Sequence, residues 1–228
     1  MVCQKTVDFS AKREHYLQSF AQPESVGLQK YFFQQKEVEM DPYGMLTQFL
    51  FSKNFGDTRT VAQYRRGIEP IPESLVQDDR DLSLLSLADP RPGLIRCCRL
   101  LRIKYEKLGC ADGDVGPFDD RFVLPTAPFW FRHDGGMENR KRRPDHCRDE
   151  ATGLVLVGTA MEGLFAYAHH LDIVKEGQHA LDLPGTVCHP ERVDCAFLRV
   201  WSRQARLGLY RCSGFASPDY GALRVRRK

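Results

Sequence analysis

The segments Glu191–Val200, written ERVDCAFLRV, and Leu209–Phe215, written LYRCSGF, decide the fold class of this chain. Each places aromatic and aliphatic residues around one cysteine, Cys195 or Cys212, and a short basic loop separates the two segments. Because aromatic and aliphatic side chains favour strands, the two segments predict the two strands of a β-hairpin. Neither segment carries a catalytic signature, so the hairpin predicts a sheet and leaves the function open.

Composition and charge are those of an ordinary globular protein. The 228 residues, 42% hydrophobic and 28% charged, suffice for a buried core. The net charge of +3 is too balanced to attract nucleic acid through the field of the whole molecule, so such a role needs a local basic patch. We find no secretory signal and no apolar run long enough for a membrane span. We therefore expect a soluble, intracellular protein with no membrane partner and with its eight cysteines as reduced, buried thiols.

Hydrophobic periodicity predicts an α+β fold, with a helical N-terminal third and a mixed or antiparallel sheet in the C-terminal two thirds. Residues 1–228 are expected to form one globular domain. Within it, residues 1–70 are the helical region, 94–216 the sheet-containing core and 217–228 a basic tail. The connector Ile68–Gly93 is rich in proline and aspartate, which leaves a domain boundary there as an alternative.

Four shorter segments carry expectations of their own. Leu94–Leu108 fits both periodicities, and we favour a strand that runs into a helical turn. Phe122–Phe131 is interrupted by prolines, which suits an edge strand or a rigid aromatic loop. Arg132–Ala151 is highly polar and is expected to be exposed, and Arg224–Lys228 is expected to be disordered.

The cysteine, histidine and acidic residues do not have the spacing of a metal site or of a phosphatase loop. Structural zinc uses paired ligands, whereas six residues separate Cys188 from Cys195 and no second pair matches. The acidic cluster around Asp112 lacks the alternating ligands of a calcium loop. A phosphatase-type Cys147 would need an arginine six positions later, where Gly153 stands. We therefore predict no metal.

An aromatic stretch is the candidate ligand site. Phe129, Trp130 and Phe131 precede Arg132 and His133, so rings that can stack on a ligand lie beside a cationic edge. Core packing is the alternative account of these residues. Three adjacent aromatic residues cannot all face the core from one strand, however, because successive side chains point to opposite faces.

A run of four cations forms the candidate nuclear-import or phosphate-binding site. Arg140, Lys141, Arg142 and Arg143 stand together in a polar segment, directly before Pro144. Such runs act as nuclear-import signals or contact phosphate groups. A solvated loop is the alternative interpretation of the same four residues.

Several segments of residues 95–216 share an order of features. An aliphatic-aromatic strand enters a charged helix, a small-residue stretch leads to a proline and an aromatic, a Phe-rich apolar pair follows, and a Cys-aromatic hairpin closes the series. These segments are Leu100–Leu108, Phe122–Phe131, Gly153–Ala160 with Leu164–Tyr167, and the two cysteine-bearing strands. In this order they resemble the RolB/RolC, or plast, family carried on agrobacterial T-DNA. The N-terminal third has no counterpart in the resemblance.

The resemblance implies a bacterial protein made inside a transformed plant cell, in the host cytoplasm or nucleus, where it alters growth or hormone response. Family members are described as hormone-conjugate glucosidases, and some look like ADP-ribosyltransferases. A glycosidase needs two carboxylates across a pocket, and the acids near the matched segments have no spacing that selects a pair. These acids are Asp119, Asp120, Glu162, Asp172, Glu191 and Asp194. An ADP-ribosyltransferase would use Thr126, whose glutamate partner is not identified.

We predict a plast-like effector that alters plant cell growth or hormone response by binding a host plant protein or a small ligand. Its predicted ligand-binding residues are Tyr105, Thr126, Trp130, Arg132 and His133. One alternative is a transferase or hydrolase with the same pocket, in which Thr126 or an acid of the 119–120 loop carries the chemistry. The second alternative is a nuclear or nucleic-acid adaptor that uses Arg140–Arg143. No cofactor is predicted, NAD is kept as a candidate ligand, and catalysis is left open.

Overall fold

The computed structural model describes residues 68–76, 79–106, 115–116, 118–188, 194–211 and 216–227. Within these ranges the chain forms ten strands in two sheets, one of four strands (sheet A) and one of six (sheet B). The strands are β1 (Leu84–Ala88), β2 (Lys104–Tyr105), β3 (Val115–Gly116), β4 (Phe129–His133), β5 (Leu156–Val157), β6 (Ala180–Cys188), β7 (Asp194–Trp201), β8 (Gln204–Arg211), β9 (Tyr220–Ala222) and β10 (Arg224–Arg226). The helices are α1 (Glu73–Val76), α2 (Leu94–Leu100), α3 (Pro144–Glu150) and α4 (Ala160–His169), with short 3-10 turns at Asp120–Phe122 and Leu171–Ile173.

A hairpin of β7 and β8 lies at the centre of sheet B, but its bounds differ from the expected ones. Strand β8 begins at Gln204, so most of the expected loop at 201–208 belongs to the strands. Strands β7 and β8 pair antiparallel without a break, from Asp194 opposite Arg211 to Trp201 opposite Gln204. Ser202 and Arg203 connect them, with φ angles of 51° and 61°. Two left-handed residues are the requirement of a type I′ turn, whose twist matches that of the flanking strands. Cys212 lies outside the described residues.

Sheet B has an apolar inner face and a mixed outer face. Its strands follow the order β2-β8-β7-β6-β3, and β9 pairs with β6 beside β3. Alternation along the strands places Leu181, Leu198 and Leu207 on the inner face, where all three are buried in the main core. The residues in alternate positions, such as Phe197 and Arg199, therefore point to the outer face. Helix α3 packs on this face where it is formed by β6 and β9.

Sheet A is antiparallel throughout, in the order β1-β4-β10-β5. Strand β10 lies inside this sheet, with Val225 opposite His133 of β4 on one side and Leu156 of β5 on the other. Leu223 is the single residue between β9 in sheet B and β10 in sheet A. Consecutive strands of the chain therefore join the two sheets directly.

Helix α4 packs against strands of both sheets. It contacts β1 of sheet A and β6 and β7 of sheet B, and its residues from Ala160 to Tyr167 are all buried. A capping box between Thr159 and Glu162 begins the helix, which satisfies backbone donors that would otherwise be buried without acceptors. Gly163 allows close packing, since a Cβ atom there would lie 2.5 Å from the methyl groups of Leu183.

The predicted α+β fold with a helical N-terminal third is wrong as a description of this protein. The described residues are rich in sheet, and their four α-helices are short, none longer than the ten residues of α4. The expected single sheet is two sheets that enclose a helix. Residues 1–67, where helices were expected, lie outside the described residues, so the helical third has no support.

Three local expectations are also corrected. In the 94–108 segment the order is reversed, because α2 comes first and β2 follows it. In the 122–131 segment the loop interpretation holds up to Pro128, but the strand that follows, β4, is paired on both sides and is no edge. The 132–151 segment is not uniformly exposed, since Arg132 and His133 are buried and α3 begins at Pro144.

The basic tail is ordered over its described part. Residues 224–226 form β10, and Arg227 directly after it makes an ion pair with Glu162, with Nε 2.8 Å from Oε1. Glu162 is 0% exposed. The expectation of disorder was based on the high charge of this segment. It is wrong because Arg227 pairs with a buried acid and β10 pairs with a strand on each side.

The cysteines are not all thiols. Cys97, Cys98, Cys147 and Cys195 are buried free thiols, as expected. Burial raises the pKa of both Cys97 and Cys98 to about 12, so neither is a ready nucleophile. Cys188 is disulfide-bonded, and its partner is not among the described residues. The expectation of reduced thiols throughout is therefore wrong at Cys188.

In the part of the chain that the structure describes, no helix has both the length and the apolar character needed to cross a membrane.

Candidate functional site

Strand β4 carries three of the predicted ligand-binding residues, and their polar groups are used inside the protein. The Trp130 indole donates to the Glu69 carbonyl at 3.0 Å. The Arg132 guanidinium is buried and donates to the carbonyl of Leu75 at 2.7 Å and to those of Leu82 and Ser83 at 3.4 and 3.3 Å. Arg132 thus holds the segment around α1 against β4, and its charge does not form the edge of an open pocket.

The other two predicted ligand-binding residues lie apart from β4. Tyr105 is on β2 in sheet B, where it packs against the main core. Thr126 is exposed on the loop before β4. The five residues thus come from both sheets and from a loop, and the structure supplies no convergence of their polar groups.

His133 forms a buried pair with Ser86 that resembles a nucleophile and its base. The Ser86 Oγ lies 3.0 Å from His133 Nε2, and neither residue is exposed. His133 Nδ1 accepts a hydrogen bond from the Gly135 amide at 3.3 Å, which places the ring proton on Nε2. His133 then donates to Ser86 and cannot take its proton. The pair therefore does not activate Ser86.

Burial holds His133 and the nearby His169 neutral. Burial, and then the neighbouring His170 and His169, lower the pKa of His133 to about 3. Burial lowers the pKa of His169 to about 4. His169 and His170 each lie within hydrogen-bond distance of a β1 carbonyl, those of Leu87 and Leu85. These imidazoles attach the end of α4 to sheet A.

Two of the four cations of the basic run are paired with acids. Arg142 is paired with Glu150, and Arg143 makes a two-point ion pair with Asp145. Arg140 donates to the carbonyls of Gln178 and Pro218. Lys141 is exposed with a φ of 62°, a tight conformation unlike that of an extended import signal. The four residues therefore do not form one open cationic segment.

Of the acids named with the resemblance, those among the described residues make structural contacts or are at least partly exposed. Asp119 pairs with Arg121 at 2.8 Å, and Glu162 pairs with Arg227. Asp172 is exposed. No group of three or more metal-ligating side chains that could hold an ion occurs among the described residues.

Asp182 is an acid that sequence reasoning did not select. It lies on β6 and is 1% exposed, and the Tyr210 hydroxyl donates to its Oδ1 at 2.7 Å. Burial raises the pKa of Asp182 to about 7. The rings of Phe197, Tyr210 and Tyr220 pack around this pair, with centroids 5.6 to 6.2 Å apart. Rings so close fill the space between them, so the cluster forms the floor of the outer face and not an open cage.

A row of three cations crosses the outer face of sheet B beside these rings. The register places Lys104 of β2 next to Arg206 of β8, and Arg206 next to Arg199 of β7. We call Lys104, Arg206 and Arg199 the cationic row. Glu106 is the acid paired with it, 2.9 Å from Arg206 and 3.9 Å from Arg199.

Trp201 lies at the end of the hairpin and is 55% exposed. The Arg199 guanidinium carbon lies 5.4 Å from the Trp201 ring and 5.0 Å from the Phe197 ring, so a cation separates two aromatic side chains along β7. Glu176 fixes the turn, because its carboxylate accepts from the amides of Ser202 at 2.6 Å and Arg203 at 3.2 Å. The exposed indole and the cationic row thus lie on a preorganised surface.

No protein-family model, curated protein or solved structure matches this chain. The resemblance to the plast family therefore stays a prediction. One sequence signal could have found the outer face: Phe197, Arg199 and Trp201 alternate with Ala196, Leu198 and Val200. Once the second set is assigned to the core, the first set must face outward.

Proposed function

We propose that this protein is a binding protein that engages an anionic partner through the outer face of sheet B. The observation that carries the proposal is the cationic row, in which Lys104, Arg206 and Arg199 are direct cross-strand neighbours. Like charges directly opposite one another destabilise a sheet. An anionic partner would offset that repulsion. Binding of such a partner therefore explains the three adjacent cations, whereas packing within the sheet does not.

Glu106 neutralises the row only in part. It supplies one negative charge for three positive ones, and its contact with Arg199 is long at 3.9 Å. The two arginine side chains are also partly exposed, Arg199 at 35% and Arg206 at 21%. Oxygen atoms of another molecule can therefore reach this part of the row.

Trp201 supplies the apolar part of the proposed interface. Tryptophan and arginine are enriched among the residues that dominate binding energy, and rigid presentation lowers the entropy lost on binding. Trp201 is stacked beside Arg199 on a hairpin whose turn is held by Glu176. These contacts favour a surface already formed before the partner arrives.

An enzymatic role has weaker support in the same geometry. A pKa-shifted carboxyl in a cleft is a typical acid–base catalyst, and Asp182 has the shifted pKa. With 1% of its surface exposed and Tyr210 bonded to it, Asp182 is closed to a substrate. Binding of a partner, the leading expectation from the sequence, is thus the better account.

The role in plant cells stays part of this proposal. A plast-like effector that acts by binding a host factor would use the outer face of sheet B for that contact. Expression of the wild-type chain and of a variant with Arg199→Gln and Arg206→Gln in plant tissue tests this role. A growth or hormone phenotype that requires both arginines would support it, and a chain without any phenotype would count against it.

Fluorine NMR tests the binding function directly, because the chain has two tryptophans in different environments. Protein labelled with 5-fluorotryptophan gives two signals, and Trp201→Phe assigns them. We expect heparin, used as a generic polyanion, to shift the exposed Trp201 signal saturably. The signal of Trp130, which is 8% exposed, serves as the internal reference and should not move.

Two variants complete the experiment. The double variant Arg199→Gln/Arg206→Gln should weaken heparin binding at least tenfold, since two charge-assisted contacts are lost. Arg80→Gln is the matched control, because Arg80 is an exposed arginine outside sheet B. An unmoved Trp201 signal at saturating heparin, or an equal loss in the control, would contradict the proposal.

A further inference from the structure

We infer that the anionic partner is a single-stranded nucleic acid, whose phosphates lie on the cationic row while a base stacks on Trp201. The inference rests on the binding function proposed above and adds the chemical class of the partner. Single strands are bound where positive charge follows the backbone and aromatic side chains receive the bases. Both elements occur together on one face of sheet B.

The arrangement along β7 matches that requirement. Phe197, Arg199 and Trp201 occupy alternate positions of the strand, about 6.6 Å apart from one to the next by strand geometry. The guanidinium carbon of Arg199 lies 5.0 Å from the first ring and 5.4 Å from the second. A backbone that crosses the strand here would meet a cation beside the aromatic face that its base needs.

The arrangement across the sheet extends the site. Lys104 and Arg206 continue from Arg199 over β8 to β2, so three cations lie side by side across three strands. Phe197 itself is 5% exposed, and beside it the half-buried rings of Tyr210 and Tyr220 pack against it. An open sheet face with rings and cations side by side is also the surface on which common single-strand RNA modules work.

Duplex nucleic acid and an acidic protein each fit only half of this surface. In a duplex the bases are already stacked on one another, so the exposed indole of Trp201 would have no base to receive. An acidic protein would use the cations, but carboxylates make no use of an open ring face. The pairing of Trp201 with Arg199 therefore favours unpaired bases joined by phosphates.

The charge of the whole molecule agrees with a local site. A net charge of +3 over 228 residues attracts nucleic acid only weakly over a distance. The affinity should then come from the three cations of the row and from stacking. The salt dependence of binding measures the first part, and substitution of Trp201 measures the second.

Fluorescence anisotropy with the full chain provides the test. The probes are a labelled 12-nucleotide oligouridine, the same length of oligothymidine, a 12-base-pair duplex and labelled polyglutamate. We expect the single strands to bind at least tenfold more tightly than the duplex and polyglutamate. The affinity should fall with salt with a logarithmic slope of about −2, from roughly 0.7 for each of three phosphates.

Variants separate stacking from charge. Trp201→Ala should weaken single-strand binding about 5- to 100-fold with the salt slope unchanged, because base–aromatic stacking is lost and no phosphate contact is. Trp201→Phe should restore most of that loss. Arg199→Gln should reduce the slope by about 0.7, whereas the control Arg80→Gln, at an exposed arginine outside sheet B, should change neither quantity.

The outcomes distinguish this inference from the proposal on which it rests. Tight binding of polyglutamate without binding of single strands would overturn the inference and leave an anion-binding surface. Equal affinity for duplex and single strand, or no effect of Trp201→Ala, would also overturn it. If no polyanion binds and the Trp201 fluorine signal never moves, both the inference and the binding function fall.

Discussion

At the scale of single residues, Asp182 combines a buried carboxyl with a neighbouring hydroxyl. Burial raises its pKa from 3.8 to about 7, although the hydrogen bond from Tyr210 opposes that shift. Between these two pH values the folded state holds a proton that the unfolded state has released. Its contribution to stability is therefore complete below about pH 4 and declines as the pH rises to about 7.

Asp182→Asn should abolish that decline. Each pH unit of the window corresponds to roughly 1.4 kcal/mol, and the new side chain still offers an oxygen to the Tyr210 hydroxyl. We expect the variant to be more stable than the wild type by a few kcal/mol at about pH 8, and equal to it near pH 4. Urea unfolding at several pH values measures this difference. If the free energies of unfolding of the two proteins changed with pH in the same way, the pKa of Asp182 would not be raised as its burial requires.

The residues of the site were only partly predictable for a physical reason. Trp130, Arg132 and His133 were selected because rings and charges stand together in the sequence. In the fold all three are buried, because the segment around α1 contacts the first two and His170 contacts the third. Trp201 and Arg199 stand in the hairpin, where local alternation shows two faces without showing which of them is covered. The covering element, α4, comes from an earlier part of the chain, so only the folded molecule distinguishes the faces.

At the scale of elements, the turn of the β7–β8 hairpin is strained by its composition. Ser202 and Arg203 both have positive φ, a region that costs non-glycine residues roughly 1–2 kcal/mol each. Asparagine followed by glycine is the favoured pair for this turn type. We expect the double variant Ser202→Asn/Arg203→Gly to raise the midpoint of thermal unfolding by about 2–4 °C for each kcal/mol gained.

Differential scanning calorimetry measures this increase, and Glu176→Gln serves as its opposite control. That change weakens the acceptor of the two turn amides, so the midpoint should fall. A lower midpoint for Ser202→Asn/Arg203→Gly would mean that the side chain of Arg203 stabilises the folded chain more than its backbone conformation destabilises it.

Local elements were easier to predict than their pairing. The hairpin was predicted because its strands are adjacent in sequence and each alternates. The order of α2 and β2 was missed because Leu94, Cys98 and Leu101 fit a helix while Leu101, Ile103 and Tyr105 also fit a strand. The position of β10 was missed because its partners β4 and β5 are remote in sequence, and its arginines disguise an interior strand.

At the scale of the whole molecule, the ion pair between Arg227 and Glu162 connects sheet A to the central helix. The guanidinium also donates to the carbonyls of Arg121 and Val123, so three segments meet at this side chain. Removing one partner of a buried pair leaves an uncompensated charge, which typically costs about 3–5 kcal/mol. We expect Arg227→Met to lower the free energy of unfolding by about that amount.

Glu162→Gln in the same chain should recover most of the loss, because glutamine keeps the capping box while removing the charge. Chemical denaturation of the two variants and the wild type checks both expectations. A loss that persists in the double variant would mean that the other contacts of Arg227, and not the charge of Glu162, hold these segments together.

The interior position of β10 has a consequence for synthesis of the chain. Its partners β4 and β5 leave the ribosome well before it, and sheet A cannot close until residues 224–226 have also emerged. Until then β4 exposes a row of unpaired backbone groups, the kind of edge that recruits strands from other chains. A nascent polypeptide stalled before residue 224 should therefore depend on chaperones, and the pairing of β10 with β4 and β5 is the step that removes the exposed edge.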